Sequence, residues 1–210
     1  MSDVALGWTL AQTCPPGPVR LQGDGPVRAM TAPTTLAATP RQRLALLQSC
    51  FDAGIDMVPL SAHQQVPATS ATIWPANLLT QLADLRDCGQ ISLTLTWTIP
   101  NAPQSSDLSW LRVRQRVLTN ATAKGLMAKN LLAELAKSLS LRQSELRHGT
   151  GQCSLDLLVT RPAFAAAAAI ISNRSEYLRA EGLPGASLLV TGLWPPYSFV
   201  KYAPPPGVPA

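Results

Sequence analysis

His63 and His148 are the only histidines in a chain of 210 residues, and acid–base chemistry would have to begin with them. A catalytic histidine needs a nucleophile or substrate within hydrogen-bond reach and an acid to orient it. His63 lies in the loop SAHQQV and His148 beside a turn, and neither is attached to a GxSxG element. The four cysteines, Cys14, Cys50, Cys88 and Cys153, are spread singly, without a CxxC pair or a histidine at ligand spacing. No metal site is expected, and the thiols read as reduced, small apolar side chains, Cys50 on the same helical face as Leu44, Leu47 and Phe51. Asp52 and Asp56 flank Gly54 at a helix end, and Asp84 and Asp87 sit beside Arg86 on a wet face, so no carboxylate pair is poised for catalysis. LQGDGP has the GxG of a phosphate loop but runs into Pro26 instead of a helix start. No catalytic residue and no cofactor is expected. A small cytoplasmic enzyme would need His63 or His148 in a deep cleft with an acid.

Charge supplies a second alternative. Residues 1–103 carry five Arg against six Asp, net −1, whereas residues 104–210 carry twelve Lys/Arg against six acids, net +6. Arg112, Arg114 and Arg116 in WLRVRQRVL, followed by Lys124 and Lys129, would make a nucleic-acid surface if they shared one face. No aromatic platform is interleaved with them, so a solvated helix face is the favoured reading and no nucleic acid is expected. Hydrophobic residues make up 46% of the chain and charged ones 14%, the balance of a globular protein with apolar surface. No apolar run approaches the roughly 20 residues of a bilayer span, and MSDVALGWTL has no leader-like pattern, so the expectation is a cytoplasmic protein with no membrane contact.

The elements that would hold these residues are legible from periodicity. VALGWTLA reads as a first strand, followed by turn chemistry in CPPGP and GDGP. Thr39-Pro40 supplies an N-cap and a first-turn proline for the helix RQRLALLQSCFDAG, which Gly54 closes. DMVPL reads as a buried strand, Ile73, Leu78, Leu82 and Leu85 as a second helix, and ISLTLTWTI as the clearest alternating strand. This is a βαββαβ-like plan. PNAPQSS, residues 100–106, is the linker candidate. Beyond it, residues 107–140 are helical in pattern with Gly125 as a point of breakage or bending. Two strands follow around Gly149 and Gly151, then an alanine-rich helix from Pro162 to about Ala180, whose run Ala165 to Ala169 serves packing, and a last strand ASLLVTGL. The fold class is α+β in two small domains, 1–103 and 104–202, with 203–210 as a disordered tail.

TGLWPPYSFV gathers Trp194, Tyr197 and Phe199 around Pro195-Pro196 in a chain otherwise poor in aromatics. The prolines stop ladder pairing, and the aromatics either fold back to seal the domain or stand as rigid anchors for a partner. Both readings stay open on these residues, and Trp194, Pro195, Pro196, Tyr197 and Phe199 are the candidate partner-binding set.

LLVTGLWPPYSFV resembles the C-terminal signature of the gas vesicle GvpL/GvpF family. The blocks RLALLQSCFDAGIDMVPL, ANLLTQLADLRDCGQISLTLTW and CSLDLLVTRPAFAAAAAIIS are similar to the family's middle segments in order and spacing, over roughly residues 40 to 200. Leu193 stands where the family usually has proline, and SAHQQVPAT lacks the family's Arg-Phe-Gly run. The resemblance implies a non-enzymatic protein of two α+β domains, the N-terminal one ferredoxin-like, acting in gas vesicle assembly. It also implies partners, the major gas vesicle shell protein and other gas vesicle accessory proteins, and a place in the cytoplasm or as a minor component of the vesicle. A chaperone-like role fits such a chain: shielding the shell subunit's apolar face until it reaches the growing edge.

Overall fold

The computed structural model describes residues 2–10, 12, 14–61, 63, 65–69, 77–99, 108–139, 142–180, 183 and 186–201. The linker candidate 100–106, the tail beyond 201 and Ile73 lie outside the described residues. The chain separates into two compact units, one of Met1–Gln90 with Leu193–Ala210 and one of Ile91–Gly192. The division therefore falls inside strands and not at the linker: the strand that ISLTLTW announces opens the second unit, and the end of the chain belongs to the first.

In the first unit, strands β1 (Asp3–Leu10), β2 (Arg20–Gln22) and β3 (Val27–Pro33) precede helix α1 (Pro40–Asp52), strands β4 (Met57–Pro59) and β5 (Val66–Pro67) and helix α2 (Leu78–Asp84). The sheet order is β2-β3-β1-β4, with β5 also on β1. β1 is antiparallel to β3, β4 and β5. The passage β3–α1–β4, with β1 lying between the two strands it joins, is a split βαβ unit. Gly7 is where β1 shifts register, and a Cβ there would lie 2.6 Å from the Val58 carbonyl oxygen and 3.0 Å from Pro59 Cα. The chain uses glycine because β4 runs too close for any side chain.

The start of α1 is the one the sequence promises. The Gln42 N–H donates to Thr39 Oγ1 at 3.2 Å and the Thr39 N–H donates to Gln42 Oε1 at 3.0 Å, a capping box with Pro40 in the first turn. The buried face differs from the expected one at a single position. Arg43, Leu47, Cys50 and Phe51 are buried, whereas Leu44 is 41% exposed. Arg43 takes the inward position because its Nη1 donates to the carbonyls of Ala37 at 2.8 Å and Ala38 at 3.0 Å, satisfying the loop that enters the helix. Leu47, Cys50 and Phe51 join Leu6, Met30 and Met57 in one core.

The second unit contains β6 (Cys88–Thr96), α3 (Leu108–Leu139), β7 (Arg142–Gln143), β8 (Arg147–Gly149), β9 (Gln152–Thr160), α4 (Phe164–Ala180) and β10 (Ser187–Trp194). Its order is β10-β6-β9-β7, with β8 also on β9. Counting β6, β9 and β10 as first, third and fourth strands, this is βαββαβ in the order 4-1-3-2, the ferredoxin-like arrangement. An α+β fold with a βαβ-type sheet in the first unit is as expected; the complete ferredoxin-like order lies in the second. Ile91, Leu93, Leu95 and Trp97 alternate inward along β6 and its extension, and Ala128, Leu132, Leu135 and Ala136 form the buried face of α3. α3 runs through Gly125 without a break. In the alanine run, Ala167 is buried at 4% exposure, with Ile171 one turn further on, while Ala165, Ala166 and Ala169 face outward.

All four cysteines are free, three of them buried. Only the thiolate reacts with a disulfide reagent, and burial pushes the Cys50 thiol up to about 11 and moves Cys153 in the same direction. At about pH 8 a bulky aromatic disulfide should therefore titrate Cys14 alone in the native chain and all four thiols after denaturation. A second fast native thiol would contradict this burial. No helix among the described residues is long and apolar enough to cross a membrane.

Candidate partner-binding site

The C-terminal segment leaves β10 and cannot continue a ladder, because Pro195 and Pro196 have no N–H to donate. A short 3-10 turn, Tyr197–Phe199, follows, closed by the Tyr197 N–H on the Pro195 carbonyl at 2.8 Å and the Phe199 N–H on the Pro196 carbonyl at 3.1 Å. A segment that pairs with no strand must find other partners for its backbone. Three glutamines provide them. Gln48 Nε2 donates to the Leu193 carbonyl at 3.0 Å, and Gln90 Oε1 accepts from the Ser198 N–H at 2.9 Å. Gln81 holds Lys201 at both groups, Nε2 donating to its carbonyl at 3.0 Å and Oε1 accepting from its N–H at 2.9 Å. Gln81 and Gln90 are buried and their partners more exposed, so these bonds are only partly screened from water.

The side chains of the motif divide into two groups. Leu193 and Tyr197 pack against the first unit's core, and Pro195 and Pro196 are buried. Leu193 fits because β6 has glycine at position 89, where a Cβ would come within 2.6 Å of Leu193 Cγ and 2.8 Å of Phe51 Cζ. The Tyr197 hydroxyl is buried without a hydrogen-bond partner among the described residues, and burial raises its pKa above the usual phenol range. Phe199 is half-buried. Trp194 is the large side chain of the motif that stands out, 40% exposed on a mount of two buried prolines. The five candidates are thus contiguous, but four are turned wholly or partly into the fold.

The other residues with potential chemistry do not assemble. His63 and His148 are exposed, and the described residues hold no cluster of three or more His, Cys, Asp or Glu side chains that could bind a metal ion. Asp156, buried at 1% exposure, is held by Arg147 Nη2 at 2.9 Å in an ion pair that ties β8 to β9. The glutamines are what the sequence reading missed. Their one signal was position: Gln81 falls between Leu78 and Leu82 on the buried face of α2, where a polar residue needs an internal partner.

No family model matches the chain, and no curated protein matches it. Solved structures do. The chain is similar to the gas vesicle protein GvpF from Anabaena sp. PCC7120, with a TM-score of 0.71 and 11% identity over 97% of this chain and 98% of the other. It is also similar to the gas vesicle protein GvpF from Microcystis aeruginosa, with a TM-score of 0.70 and 10% identity over 96% of this chain and 99% of the other. The GvpF fold therefore spans both units.

Proposed function

We propose that this chain is a gas vesicle accessory protein of GvpL/GvpF type, a binding protein and not an enzyme, that acts in vesicle assembly. The observation that carries the reading is the nearly full-length likeness to GvpF structures, which joins the WPPYSF sequence at the chain's end. Its partners in this reading are the major shell protein and other accessory proteins, and its place is the growing vesicle and the cytoplasm around it.

Trp194 is the anchor. Ordering a flexible side chain at an interface costs about 0.5–1.5 kcal/mol, and an indole set on two buried prolines has little of that freedom left to lose. Pro195 and Pro196 fix where the ring points, and Tyr197 and Phe199 hold the mount on the core and add contact area at its edge. The apolar face of a shell subunit covered in this way is kept from aggregating until it is delivered.

Trp194→Ala removes an exposed ring and leaves the glutamine bonds intact, so the fold should persist while capture of co-expressed shell protein by the tagged chain falls at least about tenfold. Equal capture by the folded variant would remove Trp194 from the binding surface.

A further inference from the structure

The end strands of a sheet need an occupant or a defence, because their outer row of N–H and C=O groups invites another strand. In the first unit's sheet the ends are β2, β4 and β5, strands of two or three residues. Arg20 opens β2, and Pro59 and Pro67 close β4 and β5. In the second unit's sheet one side ends in β7 and β8, again two and three residues long, and each is opened by an arginine, Arg142 or Arg147. Shortness, proline and charge are the means by which proteins keep sheet edges from pairing.

The remaining edge has none of these. β10 is eight residues long and is the end strand on the other side of the second sheet; among the described residues no strand pairs with its outer side. Its first five residues, Ser187 to Thr191, carry no charge and no proline, and β6 beside it carries no charge from Cys88 to Thr96. Gly192, at φ 142°, ends this regular stretch. On the inner side the Ser187 and Thr96 hydroxyls share a hydrogen bond at 2.8 Å, so β6 already serves that side. Leu189 stands 59% exposed at the middle of the five.

We propose that β10 pairs antiparallel with β10 of a second copy of this chain, about a two-fold axis at Leu189, and so joins the second-unit sheets of two copies into one. An extended strand is what satisfies edge groups together: a helix has used its own N–H and C=O groups internally, and a nucleic acid would find no cation on β10 or β6. The stretch is also its own complement. With the axis at Leu189, that side chain meets its own copy, Leu188 meets Val190 and Ser187 meets Thr191, so apolar opposes apolar and hydroxyl opposes hydroxyl. Each pair joins residues of the same parity, so the ladder closes whichever alternate set of backbone groups points outward. Five residues extend about 17 Å, a small interface, so the pairing is reversible and depends on concentration. The proposal rests on the second unit's sheet and holds whether or not the chain works in gas vesicles.

Sedimentation velocity of the full chain from about 5 to about 500 µM reads the association. The unmodified chain should shift from monomer towards dimer across this range. Leu189→Lys and Leu189→Glu each change one exposed side chain and set two like charges face to face at the axis. Folded variants with unaltered circular dichroism should therefore dimerise at least about tenfold more weakly than the unmodified chain. Mixing the two variants in equal amounts sets Lys opposite Glu and should restore the dimer, a response that a purely structural role for Leu189 would not give. An unmodified chain that stays monomeric to about 500 µM would overturn the proposal and leave the edge to a strand of another protein. Undiminished dimer in both separate variants, or no recovery on mixing them, would overturn it as well.

Discussion

Gly7→Ala should destabilise the first unit by more than about 3 kcal/mol, the reverse of what residue preference predicts. In an ordinary strand interior, alanine is better than glycine by roughly 0.5–1 kcal/mol. At position 7 the added carbon would lie 2.6 Å from the Val58 carbonyl oxygen, 3.0 Å from Pro59 Cα and 3.3 Å from the Leu60 nitrogen. These are backbone atoms, so no rotamer change relieves the overlap. β4 must move away, and with it the Leu60 N–H that donates to the Leu6 carbonyl at 2.8 Å. Urea unfolding followed by circular dichroism measures the outcome. A midpoint at or above that of the unmodified chain would mean that β1 and β4 are not so close.

Arg43→Met should cost about 2–4 kcal/mol, although it places an apolar side chain of similar length in an apolar core. Hydrophobic transfer alone favours the methionine. Against it stand the Ala37 carbonyl, which is buried, and the Ala38 carbonyl, which is half-buried; both receive a hydrogen bond from the guanidinium and would lose it. Hydrogen bonds to a charged donor contribute about 1.5–3 kcal/mol each, which outweighs the gain from one sulfur and one methyl. Arg43→Lys should recover part of the loss, because one ammonium reaches one of the carbonyls. If the methionine chain unfolds at the same urea concentration as the unmodified one, the guanidinium is not what holds the loop.

These two positions mark the limit of what the sequence makes legible. Thr39, Pro40 and Gln42 announce the start of α1 because a capping box is local, made within four residues. The alternation of Ile91, Leu93 and Leu95 announces β6 for the same reason. Which strands β6 lies beside is a different kind of information: β9 and β10 follow it by roughly 60 and 100 residues, and no local pattern encodes that pairing. The order of elements in the first half reads as ferredoxin-like and its split βαβ unit agrees, whereas no local pattern encodes that the strands of the second unit also take the order 4-1-3-2. On α1 the pattern identifies Leu47, Cys50 and Phe51 as inward and misses only that Arg43 replaces Leu44 there, since a buried arginine looks polar and its carbonyl partners lie in a preceding loop. Gly125 does not break α3, because one glycine costs a helix only about 1 kcal/mol against alanine and the buried face of Ala128, Leu132, Leu135 and Ala136 outweighs that.

The candidate site was legible in part. WPPYSF drew attention by its aromatics, and the structure separates the exposed Trp194 from the buried prolines and the half-buried Tyr197 and Phe199. The three glutamines that hold the segment in place lie 108 to 145 residues away from the groups they bond. They resemble any surface amide until the fold brings them in.

In the proposed function this chain binds the gas vesicle shell protein. Co-expression of the tagged chain with a major gas vesicle shell protein, followed by affinity capture of the soluble fraction, tests this binding most directly. Shell protein otherwise found in the pellet should appear in the soluble eluate with the chain. A folded, fully captured chain that elutes alone, with all the shell protein sedimented, would contradict it.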